Sequence, residues 1–311
     1  MKTYAQISHV PSLHATKPAG IASLDLAADG KTVLTGGADK VVQIFDLESS
    51  KVVASLKGHT KAVNHVAFRE GADSTLAVSG GDKTVRVWGE DDGKWSAKAS
   101  FSHKKGEIAG LAVHPTGAYV SAASTDSTWS MYDLEQGQEV ATYSAVPGVE
   151  GSFAYTSFAV HPDGVLHGAG TKDGIVRVWD ARQSSSLAGS LESHSTAVST
   201  LSFSENGYYL ATGSSATPSV KIVDLRKLAV ISTWELPAEN TVSEVRFDTS
   251  AQFLTVAGTD LRVYANKTWD ELLKFEDNAG TLSGARFGPL GQQIVVAGLD
   301  RTLRVLGAKS E

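Results

Sequence analysis

The stretch TKDGIVRVWD, Thr171 to Asp180, reads as a tight Asp-Gly turn leading into a short strand of alternating apolar residues that ends on Trp179. Related wording occurs six more times. GGADKVVQIFD, GGDKTVRVWG and STDSTWSMYD precede it, and TPSVKIVD, GTDLRVYA and GLDRTLRVL follow it. The terminal anchors Phe45, Trp88, Tyr132, Trp179, Val223, Tyr264 and Val305 lie roughly 41 to 47 residues apart, the period at which one four-stranded blade repeats. No long stretch keeps an apolar period of 3.6, so the chain is expected to be almost entirely β-structure.

Each unit also carries an earlier hairpin turn, clearest at Ala28-Asp29-Gly30, Pro115-Thr116-Gly117, Pro162-Asp163-Gly164, Glu205-Asn206-Gly207 and Leu290-Gly291. A single unit cannot bury both faces of its sheet, so the units must stack radially. The expectation is an all-β, seven-bladed β-propeller in which residues 1–311 form one domain. After Leu306 the seventh unit has used three strands and only Gly307 to Glu311 remain. Tyr4 to Ser8, followed by Leu13-His14, matches Val52 to Leu56, followed by Gly58-His59. The N-terminal strand is therefore expected to complete the last blade and cover its edge.

With 311 residues, 41% of them hydrophobic and 20% charged, the chain can bury a large core without a metal or a cross-link. It has no cysteine, which excludes disulfides, a thiolate nucleophile and Cys-ligated zinc, and fits a reducing compartment. A net charge of -6 argues against a general phosphate-neutralising surface, so no direct, sequence-specific nucleic-acid binding is expected. The opening MKTYAQISHV lacks the apolar core of a signal peptide, and no apolar run approaches the ~18 residues that span a bilayer. A soluble, intracellular protein without membrane contact is expected.

Asp39, Asp82, Asp126, Asp173, Asp260 and Asp300 each sit at the tight turn before a unit's third strand, where a short carboxylate can accept backbone N–H bonds. This position argues for turn stabilisation rather than catalysis. His14, His59, His103 and His194 are spaced a blade apart and cannot converge on one ion unless they line the axis, so no metal site is expected. No nucleophile elbow, phosphate-binding loop or zinc-protease helix is evident, and no catalytic residue or cofactor is assigned. The inner strands, among them Ala22 to Asp25, Asn64 to Ala67 and Ser283 to Ala285, read as a mostly small and neutral channel lining. Asp25, Glu244 and His65 carry the alternative of a propeller enzyme or small-molecule binder working in that channel.

On these features the chain resembles the WD-repeat β-propeller family, marked by a Gly-His near the start of each unit and a Trp-Asp at its end. The first occurs at Gly58-His59, in weaker form at Leu13-His14, Ser102-His103 and Ser193-His194, and the full Trp-Asp at Trp179-Asp180. The resemblance implies that each turn Asp bonds the His, which links to a Ser or Thr and then to a Trp such as Trp88 or Trp179. Two units depart from the pattern. The fifth has Ser215-Ala216-Thr217-Pro218 where the turn Asp belongs, and the sixth runs from Asp260 directly into Leu261-Arg262-Val263.

FSENGYYLAT (Phe203 to Thr212), VKIVDLRKL (Val220 to Leu228), SLKGHTK (Ser55 to Lys61), HPDG (His161 to Gly164) and AGTDLRVY (Ala257 to Tyr264) are similar to the C-terminal propellers of the spliceosome-associated U-box ubiquitin ligases. That likeness implies a nuclear scaffold in splicing and DNA-damage assemblies, whose propeller recruits spliceosomal proteins or ubiquitylation substrates. The family's U-box and its tetramer-forming coiled coil lie ahead of the propeller and are absent from this sequence. The chain is thus expected to be an excised, monomeric C-terminal domain with no ligase activity alone. Another WD-repeat scaffold, such as a G-protein β-like or ribosome-associated platform, would differ only in its partner.

The partner surface is expected to include the fifth-blade rim of Glu205, Asn206, Tyr208, Arg226 and Lys227. First-to-second and third-to-fourth connections of a blade emerge at the same end, about 10 Å apart, so these residues form one patch. An aromatic and an Arg beside opposite charges are residue types enriched at interface hot spots. Alternation sends one of Tyr208 and Tyr209 to each sheet face, leaving open that either packs on the neighbouring blade.

Overall fold

The computed structural model describes residues 4–15, 20–69, 76–103, 106–144, 154–183, 187–276 and 280–308. Strand β1 (Tyr4–Val10) comes first. Blade one follows with β2 (Ile21–Leu26), β3 (Thr32–Gly37), β4 (Val41–Asp46) and β5 (Lys51–Lys57), and blade two with β6 (His65–Phe68), β7 (Leu76–Gly80), β8 (Thr84–Asp91) and β9 (Lys94–Ser102). Blade three comprises β10 (Ile108–Val113), β11 (Tyr119–Ser124), β12 (Trp129–Asp133) and β13 (Gln138–Tyr143); blade four comprises β14 (Tyr155–Val160), β15 (Leu166–Thr171), β16 (Ile175–Asp180) and β17 (Leu187–Glu192). Blade five has β18 (Thr200–Phe203), β19 (Tyr209–Ser214), β20 (Ser219–Asp224) and β21 (Ala229–Glu235); blade six has β22 (Val242–Phe247), β23 (Phe253–Gly258), β24 (Leu261–Ala265) and β25 (Glu271–Phe275). Blade seven joins β26 (Leu282–Phe287), β27 (Gln293–Gly298) and β28 (Leu303–Ala308) to β1.

Each sheet is antiparallel and ordered from the channel outward. The ring closes as the sequence leads one to expect: β1 pairs β28 from Tyr4 opposite Ala308 to Val10 opposite Leu303. The strand runs two residues beyond Ser8, with a bulge at Ile7. Further seam bonds join Leu13 N–H to the Arg301 carbonyl at 3.1 Å and the Gln293 side-chain amide to the Gly30 carbonyl at 2.5 Å.

Burial follows the blade junctions. The buried apolar side chains among the described residues fall into seven clusters, each drawn from two adjacent blades. In each blade the anchor on the third strand packs toward the preceding blade: Trp88 against blade one, Trp179 against blade three and Tyr264 against blade five. In blade seven this place belongs to Leu306, fully buried against blade six, and not to Val305. The pairing of third with fourth strand shifts register just before every anchor, between Val87 and Trp88 and between Val178 and Trp179 for example. The bulge at Ile7 puts the corresponding step between Val305 and Leu306, one residue later than the spacing suggested.

Candidate interaction surface

The first hairpin of blade five is held from within and from blade four. Asn206 Oδ1 accepts the Tyr208 N–H at 3.0 Å and the Ser204 hydroxyl at 2.7 Å, and Gly207 takes a left-handed φ of 72° that favours glycine. His161 Nε2 of blade four lies 3.1 Å from the Gly207 carbonyl. Beside this loop, Arg226 makes a two-pronged contact with Asp224, Nε to Oδ1 at 3.0 Å and Nη2 to Oδ2 at 2.7 Å, which holds the carboxyl down to about 2.

So oriented, the Arg226 guanidinium lies 4.6 Å from the centroid of the Tyr208 ring. The two loops therefore meet directly. Tyr208 is 48% exposed, and the exposed Leu228, Val230 and Ile231 continue the surface along the outer strand. The Tyr209 ring, 5.9 Å from the same Arg226 guanidinium, meets Trp269 of blade six edge-on at 5.6 Å. Glu205 stands at the mouth of the central channel, and Glu205, Asn206 and Lys227 are all exposed.

The turn carboxylates do not behave alike. In blade two, His59 Nδ1 lies 3.2 Å from Asp82, His59 Nε2 lies 2.8 Å from Ser79 Oγ, and the Trp88 indole donates to that same hydroxyl at 2.8 Å. In blade one, His14 bridges Asp39 and Thr35, both at 2.9 Å, with Phe45 where a Trp would stand. His103 instead contacts Tyr132 and Thr128, with Asp126 at 3.9 Å. His194, facing a turn without Asp, uses Thr212 and Ser219.

Three expectations need correcting. Trp179 joins no such chain: its buried indole nitrogen makes no hydrogen bond among the described residues, and the sequence ahead of blade four, residues 144–154, contains no His. Asp173 is exposed and makes no hydrogen bond or ion pair among the described residues. Asp260 and Asp300 have no His; Arg262 and Arg304, on the strand that follows, hold them instead, with contacts of 2.9 and 2.5 Å.

The channel also differs from its small, neutral reading. Its lining encloses about 550 Å³ and includes Arg69, Arg246 and Arg286. Arg286 of blade seven reaches Asp25 of blade one at 3.0 Å and Glu244 of blade six at 2.7 Å. Asp25 also accepts the Phe68 N–H of blade two at 2.8 Å, and Glu244 the Ala285 N–H at 3.1 Å. Four blades thus share one ionic cluster across the seam. Its signal was Arg286, the second residue of the ARF triplet at 285–287, just past the inner-strand residues that read as small. His65, also in the channel wall, is lowered to about 4 by burial. Among the described residues no group of His, Asp or Glu is arranged to hold a metal ion.

Seven four-stranded antiparallel sheets, ordered outward and closed by a strand from the opposite terminus, define a β-propeller. A family model described as Nucleolar protein 10-like, N-terminal domain matches residues 107–285, and one described as WD domain, G-beta repeat matches residues 7–46 and 50–89. The chain belongs to this family of WD-repeat propellers. Over its whole length it resembles pre-mRNA-processing factor 19: it is 35% identical to Pre-mRNA-processing factor 19 homolog 2 of Arabidopsis thaliana over 314 residues, covering 99% of this chain and 58% of the relative. The Pre-mRNA-processing factor 19 proteins of Oryza sativa subsp. japonica (321 residues, 100% and 59%) and Homo sapiens (305 residues, 98% and 59%) are also 35% identical. The chain thus spans about three fifths of the length of these curated relatives.

Proposed function

We propose that this chain is the protein-binding propeller of a nuclear pre-mRNA-processing scaffold and that it recruits its partner through the blade-five rim. The observation that carries the reading is the exposed Tyr208 ring lying under an Arg226 that Asp224 has already fixed in place. A preorganised aromatic–arginine pair costs little ordering entropy on binding, and Leu228, Val230 and Ile231 beside it add apolar area to desolvate. The likeness to pre-mRNA-processing factor 19 supports placing the partner among splicing proteins. In the same reading, the propeller selects partners or ubiquitylation substrates for a U-box ligase, including in the DNA-damage response, while the transfer chemistry belongs to another part of such a ligase.

The channel-enzyme alternative is the weaker one. Asp25 and Glu244 are both committed to Arg286 and to backbone N–H groups, which leaves neither poised as a base. The experiment is affinity capture from nuclear extract with the wild-type chain, Tyr208→Ala and Arg226→Glu, each variant first shown to keep the wild-type thermal midpoint. The expected result is loss of a common set of splicing proteins in both variants. Full retention of every partner by both would overturn the reading.

A further inference from the structure

On the face opposite the blade-five rim, the second-to-third-strand turns of blades seven, one and two share a feature that the other blades lack. The residue after the turn Asp is a cation: Arg301, Lys40 and Lys83. At the corresponding places in blades three, four and five stand Ser127, Gly174 and Pro218. In each of the three turns the carboxylate is spent inward. Asp39 accepts the Ala15 N–H at 2.8 Å, Asp82 the Thr60 N–H at 2.8 Å, and Asp300 is held by Arg304.

The neighbouring cations have no ion-pair partner among the described residues, and Lys57, exposed at the end of β5 on this face, has none either. On the other face of the same blades, Lys31 is paired with Glu48 at 2.7 Å and Lys98 with Asp91. A chain of net charge -6 therefore presents on this face a local sector of cations that are unpaired among the described residues.

We infer that this sector binds an extended acidic peptide segment. Successive turns are one blade apart, on the order of 10 Å, and an extended peptide advances ~3.4 Å per residue, so carboxylates at every third position would meet successive turns. A peptide fits better than a nucleic acid because single-stranded bases need exposed aromatic platforms. Tyr208 is the one strongly exposed aromatic among the described residues, and it stands on the opposite face. The site is separate from the blade-five rim, so the chain would hold two partners at once.

The test is fluorescence anisotropy of the full chain with a labelled twelve-residue Gly-Ser-Glu repeat peptide, at low and at physiological salt. The proteins are wild type, Lys40→Gln/Lys83→Gln, the triple variant that adds Arg301→Gln, and Tyr208→Ala. Unlabelled oligouridine serves as competitor. Binding should weaken with salt, fall several-fold in the double and roughly ten-fold or more in the triple variant, and stay unchanged in Tyr208→Ala. No binding by wild type, equal binding by both lysine variants, or tighter binding of oligouridine than of the peptide would each overturn the inference. Because Tyr208→Ala leaves these cations intact, failure here is distinguishable from failure of the rim.

Discussion

At Asp82 one carboxylate serves four donors: the Thr60 N–H and hydroxyl at 2.8 and 3.1 Å, and the Thr84 N–H and hydroxyl at 2.8 and 2.5 Å. Asp173 holds the same turn position and serves none among the described residues. Asp82→Ala should therefore cost ~1–3 kcal/mol in urea unfolding, and Asp173→Ala within about 0.5 kcal/mol of nothing. Equal effects would show that the turn position, and not its bonding, sets the stability. The aspartate pattern was legible in the sequence because each Asp precedes a strand. Its uneven use was not: a His partner comes from the loop ahead of the blade, and whether Arg262 or Arg304, two and four residues on, turns back to its carboxylate leaves no mark in residue types.

The buried histidines make a second prediction at the same scale. Burial lowers His65, His167 and His194 to about 4, from 6.5 in the unfolded chain. Between those values the unfolded state binds more protons than the native one, so stability rises with pH through this window and is lost as pH falls from about 6.5 toward 4. His167 is fully buried and stacks on Trp129 at 4.5 Å, where a charge cannot be hydrated. Unfolding free energy measured at about pH 5 should be lower than at about pH 7 by a few kcal/mol, and His167→Gln should flatten the slope. A chain equally stable at both would contradict the burial account.

Among the elements, β1 is an outer strand with little side-chain anchoring: like β17, β21 and β25 it buries none of its residues, whereas β5, β9 and β13 each bury one. Its hold is the ladder to β28, helped by the Tyr4 hydroxyl bond to the Gly291 carbonyl. A variant lacking residues 1–17 should melt roughly 5 °C or more below the full chain and self-associate through the bared β28 edge. A monomer with an unchanged midpoint would show that the ring closes without it. This strand could be read from the sequence because Tyr4 to Ser8 repeats the wording of the first outer strand. The anchor of blade seven was misread by one residue because a bulge leaves no mark in residue types.

Over the whole molecule, the sevenfold period fixed the architecture, since each blade buries its faces only against its neighbours. The Asp25–Arg286–Glu244 cluster escaped notice because its members are 42 and 219 residues apart and meet only once the ring has closed. Stacking of neighbouring blades brings the blade-four histidine His161 onto the hairpin that presents Tyr208. The rim is thus a surface whose hairpin and arginine are already held in place by their neighbours. Its most direct measurement is photo-crosslinking in nuclear extract from p-benzoylphenylalanine placed at Tyr208, compared with the same group at Glu48 on the same face of blade one. The account predicts adducts with pre-mRNA-processing proteins from position 208 and not from position 48. Identical adducts from both positions, or none from 208, would contradict it.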